Sequence, residues 1–133
     1  MKKYYTLIYF ILLASPCFAT TYEVVATETV NNGTINFGDI QIVHGIVNNF
    51  TIKGTQNLLD YGKAYNNTIT GSQNIYNEGN AFNTTFYNGN LNIYNGGASY
   101  NINALNANIY LYKDSAIKWK FNHNKLQYLC LFR

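Results

Sequence analysis

The groups in this chain able to move a proton at neutral pH or hold a metal are few and scattered. Beyond Ala19 they are Glu23, Glu28, Asp39, Asp60, Glu78, Asp114, His44, His123 and one thiol, Cys130. A zinc site needs about four ligands in tetrahedral reach. The two histidines stand in distant parts of the chain, with no acidic or cysteine partner at ligand spacing. Cleaving a polysaccharide needs paired carboxylates converging on one groove, or a basic residue with metal-holding acids. Asp60 and Glu78 come nearest to a pair, at nearly equivalent turn positions one period apart, and read as two like charges at a solvated turn. The Gly-Gly-x-Gly-x-Asp calcium repeat is absent. These residues assign no catalytic, cofactor-binding or metal-binding site, and a polysaccharide-degrading enzyme is the least supported reading.

What recurs instead is chemistry for contact. Thr34, Thr51, Thr68 and Thr85 stand at an unvarying interval of 17 residues, each following an Asn two positions earlier. The Asn-x-Thr sequons repeat because the unit repeats, and they are not read as N-glycosylation sites. Tyr61, Tyr65, Tyr76, Tyr87, Tyr94 and Tyr100 fall in or beside the same units. An aromatic stripe flanked by Asn suits contact with carbohydrate or protein.

The elements that position these residues follow from the period. The units run Gly45 to Tyr61, Gly62 to Glu78 and Gly79 to Gly96, with a degenerate one from Gly97 and a partial one over Thr29 to His44. A fixed period of this length marks a chain wound into stacked units. Each unit carries two strand-like runs, such as Asn67 to Thr70 and Gln73 to Tyr76, punctuated by Gly and Asn. The fold class is all-β, a β-solenoid of about five coils of 17 to 18 residues, spanning on the order of 24 Å. Ile35, Ile52, Ile69 and Phe86 stack as one interior column, and Ile42, Leu58, Ile75 and Ile93 as a second. Val47, Ala64, Ala81 and Ala98 fill a narrow corner. Tyr65 and Phe82 share the parity of Ile69 and Phe86, which points them inward. Thr34, Thr51, Thr68, Thr85, Tyr76 and Tyr94 form the outward contact ladder. Asn66 and Asn83 recur at turns, where stacked amides bond along the rod. Single-residue insertions near Asn88 and Gly96 fall at turns, where a solenoid tolerates them. The alternative is a disordered Asn/Gly/Tyr segment, which the apolar columns argue against.

Residues 1–19 read as a secretory signal: Met1-Lys2-Lys3, an apolar run from Tyr4 to Ala14, then a small residue at Ala19 for cleavage. The run is too short to span a bilayer, leaving no transmembrane segment in the mature chain. A lipoprotein signal on Cys17 is the rival, disfavoured by Pro16, and a buried N-terminal strand of a cytosolic protein is the other. Residues 20–28 form a lead-in or cap, 29–117 the solenoid and 118–133 a tail of different composition. The formal net charge is +3, yet Lys53, Lys63 and Lys113 face six carboxylates between Thr20 and Ile117. No basic stripe for nucleic acid exists there.

Gly62-Lys63-Ala64-Tyr65-Asn66-Asn67-Thr68-Ile69, followed by Gln73-Asn74-Ile75-Tyr76, resembles the passenger repeats of AIDA-type autotransporter adhesins. The resemblance covers roughly Thr29 to Ile117. It implies a right-handed parallel β-helix on a Gram-negative cell surface, acting in adhesion and self-association, with partners among neighbouring or host cell surfaces, carbohydrate included. By the same resemblance, Thr51, Thr68 and Thr85 are candidate sugar acceptors. The chain departs from the family in having few repeats, no membrane β-barrel and a tail where the repeat dissolves, which points to a truncated gene. A curli-type functional amyloid subunit of a biofilm matrix is the alternative. Its repeats carry regular inward Gln and Asn, whereas only Gln56 and Gln73 recur here.

Overall fold

The structure, a computed structural model, describes residues 18–118 and 122–131, the backbone alone for 118 and 122–131. The signal segment 1–17, including Cys17, lies outside the described residues. Among the described residues no helix is long and apolar enough to cross a membrane.

Winding begins with β1 (Thr21–Val24), β2 (Thr29–Ile35), β3 (Ile40–Val43) and β4 (Ile46–Ile52). There follow β5 (Thr55–Leu58), β6 (Lys63–Tyr65), β7 (Thr68–Ile69) and β8 (Ser72–Ile75). The pattern repeats in β9 (Asn80–Phe82), β10 (Thr85–Tyr87), β11 (Asn90–Ile93) and β12 (Ala98–Tyr100). β13 (Asn103–Leu111), β14 (Ala116–Lys118) and β15 (Asn122–Leu131) complete it. The pairings are parallel and join each coil to the next.

Each coil has three strand segments, where the sequence suggests two. Face A stacks β1, β3, β5, β8, β11 and the second half of β13. Face B stacks the later halves of β2 and β4, then β7, β10 and the first half of β13. Face C stacks the earlier halves of β2 and β4, then β6, β9, β12 and β14. β15 lies along β13. The third segment, the Gly-x-Ala-x part of each unit, gives a weak strand signal because it is short and carries Lys, Asn and Ala, poor strand formers in isolation. The molecule is a parallel β-solenoid of about six turns, one more than the repeats suggest.

Corners follow from residue type. Asn32, Asn49, Asn66, Asn83 and Asn101 occupy the corner from face C to face B, with φ between 53° and 60°. Asn tolerates this left-handed conformation better than other L-residues. At two corners from face B to face A successive N–H groups converge on one carbonyl: Lys53 and Gly54 both donate to Ile35 O, and Thr70 and Gly71 to Ile52 O. The chain passes so near the coil below that a Cβ on Gly71 would lie 2.0 Å from the Gly54 carbonyl oxygen.

Inside, Ile35, Ile52, Ile69 and Phe86 stack as expected, with Ala104 above them. Burying one such side chain contributes about 1.5–3 kcal/mol. The second column is Val43, Leu58, Ile75 and Ile93, not Ile42, which is half-buried and registers with Asn57. The corner 36–39 is two residues longer than its counterpart at Lys53-Gly54, so face A shifts there to a shorter step, from Ile40 to Thr55. Ala98 also leaves its expected place. It registers with Asn80, while Ser99 continues Val47, Ala64 and Ala81 in the middle of face C and not at a corner. One insertion, at Asn88, lengthens the step to 18, and it persists with no second one at Gly96.

Candidate interaction surface

The outward positions form straight lines along the rod. Thr34, Thr51, Thr68 and Thr85 are in register on face B, Thr34 exposed and the other three half-buried. Tyr76 and Tyr94 are half-buried where face A turns toward face C. Their rings stack with centroids 4.4 Å apart and planes 3° from parallel, and Tyr112 continues the column at 4.4 Å and 16°. Burial, first, and then the Tyr76 phenol, through its charge and a hydrogen bond, hold Tyr94 above the ordinary phenol range, opposed by a bond from Tyr112.

Tyr65 and Phe82 do not point inward. They stack outside face C at 4.8 Å, with Tyr100 following at 4.7 Å. The Asn corner between them and Ile69 or Phe86 resets the alternation, so parity counted across it fails.

Amide ladders run beside these columns. Asn74 Nδ2 donates to Asn57 Oδ1 at 2.8 Å, and Asn92 to Asn74 at 2.8 Å. At the Asn corner, Asn83 donates to Asn66 at 3.2 Å and Asn101 to Asn83 at 3.0 Å. A further ladder, hidden by the shortened step, is buried: Gln56 Nε2 donates to Gln41 Oε1 at 2.7 Å, and Gln73 Nε2 to Gln56 Oε1 at 2.7 Å. Gln41 therefore extends the pair read from sequence to three. Asn67 braces it, donating to Gln56 Oε1 at 3.1 Å while its own Oδ1 accepts from the Phe50 N–H at 2.9 Å. That last bond fixes the direction of the set. A backbone N–H only donates, so Asn67 must turn its oxygen to Phe50 and its nitrogen to Gln56, which in turn must donate to Gln41. All of these side-chain amide bonds donate from the later residue to the earlier one.

The charged groups meet differently from expectation. His44 lies 3.9 Å from a Glu23 oxygen and 3.4 Å from an Asp60 oxygen, acidic partners on neighbouring coils that linear spacing conceals. Asp60 stacks under Asn77, whose Nδ2 donates to it at 3.5 Å, so it is offset from Glu78 by one position. Both acids line a shallow hollow of about 350 Å³ with Tyr61, Asn77, Asn95 and Gly96. Among the described residues no group of three His, Cys, Asp or Glu is placed to hold a metal. His123, Trp119 and Cys130 have no described side chains.

No protein-family profile matches the chain, and no curated protein matches it. Among solved structures, the fold is similar to the crystal structure of a TibC-catalysed, hyper-glycosylated TibA fragment, 55–350, with TM-score 0.62 and 28% identity. The match covers 68% of this chain and 36% of that one, so the chain spans about a third of the fragment. TibA is an AIDA-type autotransporter adhesin, and the likeness supports the resemblance of these repeats to that family's passengers.

Proposed function

We propose that this chain is a secreted, non-catalytic passenger segment of an adhesin-like autotransporter, exposed on a Gram-negative surface and acting in cell adhesion and self-association. The observation that carries the reading is the straight outward Thr ladder on face B, flanked by amide ladders and repeated over four successive coils. Each Thr or Asn contact is worth little alone, and a row of them engaged together builds strength by avidity. Thr51, Thr68 and Thr85 are the candidate acceptors for sugars, a reading supported by the hyper-glycosylated state in which the TibA fragment was solved. Beads coated with residues 20–133 are expected to cluster with one another and to hold cells. A Thr51→Lys, Thr68→Lys, Thr85→Lys chain is expected to abolish the clustering through like-charge repulsion between the altered faces. Coated beads that stay dispersed and hold no cells would remove this function.

A curli-type amyloid subunit is the second reading, favoured by the buried ladder of Gln41, Gln56 and Gln73. Incubation at neutral pH with thioflavin T and electron microscopy separates the two. Fibres that seed fresh monomer support the amyloid, and a soluble β-rich species supports the passenger.

A further inference from the structure

Three phenols stand above one another at the corner between faces A and C. Tyr76, Tyr94 and Tyr112 are locked in successive rungs, because their N–H groups donate to Leu58, Ile75 and Ile93 carbonyls at 2.9, 2.8 and 2.9 Å. Their rings, 4.4 Å apart and within 3° and 16° of parallel, set each ortho carbon near its counterpart in the next ring. All three are half-buried, so each keeps part of its surface in contact with solvent. Side-chain hydrogen bonds join Tyr94 to both neighbours. Rings stacked this way cover one another's faces, so the column offers sugars no free face to stack on. What it does offer is phenols held within coupling distance.

We propose that the column is an oxidative modification site, at which a one-electron oxidant such as a peroxide-charged haem peroxidase couples Tyr94 to Tyr76 or Tyr112 as dityrosine. Each of two phenols surrenders one electron and its hydroxyl proton, leaving two phenoxyl radicals. These join through a new carbon–carbon bond between ortho carbons. The hydrogen on each ortho carbon then moves to its oxygen, restoring both rings and both hydroxyls. The two electrons and two protons reduce one hydrogen peroxide to two waters. The product is a covalent staple between adjacent coils, closing a loop one coil long, from Tyr76 to Tyr94 or from Tyr94 to Tyr112. Such cross-links constrain the unfolded chain.

The second aromatic column supplies the contrast. Phe82 separates Tyr65 from Tyr100, leaving those phenols about 9.6 Å apart, two strand spacings, and beyond coupling.

The test treats the chain with peroxide and a haem peroxidase in dilute solution, then isolates monomer and reads dityrosine fluorescence and the loss of two hydrogens by mass. Cleavage after Glu78 places Tyr76 and Tyr94 on separate peptides, which a bond between them holds together. The expected result is dityrosine within the 76/94/112 set, a melting temperature raised by several degrees, and loss of the signal to background in Tyr94→Phe. Phe82→Tyr is expected to add a second linked set at positions 65, 82 and 100. Tyr94→Phe keeps the stack. If it misfolds, the double variant Tyr76→Phe, Tyr112→Phe isolates the central phenol instead. No dityrosine in the monomer while free tyrosine couples, equal yield in Tyr94→Phe, or links confined to Tyr61 or Tyr87 would each overturn the proposal.

Discussion

Gln56 takes part in three buried side-chain hydrogen bonds, receiving from Gln73 and Asn67 and giving to Gln41. Removing it strands all three partners, and a buried group left unsatisfied costs about 1–3 kcal/mol. Gln56→Ala is expected to lower stability by roughly 4 kcal/mol or more, adding a cavity to the lost bonds. Replacing Gln41, Gln56 and Gln73 together by Leu, with Asn67→Leu, is expected to cost only about 1–3 kcal/mol, because the Phe50 N–H is then the one group of the set left without its acceptor. Urea titration distinguishes the two. The ladder ends at Gln73, whose buried Oε1 has no partner, because Leu91 lies above it and Thr84 takes the place of the bracing Asn67. Thr84 Oγ1 is orphaned with it. Thr84→Asn is therefore expected to raise stability by about 1 kcal/mol, seen as a higher urea midpoint at unchanged slope. Tyr94 brings a pH dependence. Its folded value lies above 10.0, so the folded chain holds the proton more tightly than the unfolded one. Its contribution to stability is complete below pH 10 and is lost as pH rises through the folded value. Tyr94→Phe is expected to flatten that alkaline loss.

At the scale of elements, how much is legible in the sequence depends on whether a signal stays within one strand. Ile35, Ile52, Ile69 and Phe86 keep a constant step on one face, and their column reads off directly. Ile42 and Ala98 are misplaced by the period because corner length changes between coils, by two residues at 36–39 and one at Asn88. Strand alternation carries no memory across such a corner. The same failure turns Tyr65 and Phe82 the wrong way. Gln41 drops out of the repeat because its step to Gln56 is shorter than that from Gln56 to Gln73. His44 looks partnerless by spacing along the chain, whereas its acids come from neighbouring coils. The corners themselves can be tested. Asn66 sits at φ 54° and accepts from Asn83. Asn66→Ala is expected to cost about 1–2 kcal/mol through the left-handed backbone, and Asn66→Gly less, in thermal melts.

For the whole molecule, near-neighbour stacking makes stability a sum over coils and their interfaces. Duplicating residues 62–78 inserts a coil whose Asn67 and Gln73 extend the buried ladder by one rung, moving its orphaned end one coil along. Both the urea midpoint and the slope are expected to rise, the slope because more surface is exposed on unfolding. A duplication that lowers the midpoint would show that the coils do not stack independently. The common direction of the amide ladders has an electrical consequence. Each amide carries a dipole of about 3.5 D, and units aligned head to tail add. With nitrogens facing the start of the chain and oxygens its end, from Asn101 and Asn92 down to Gln41, the solenoid carries a net moment along its axis, positive toward β1. Two rods lying side by side are then drawn into opposite orientations, and two meeting end to end into the same one.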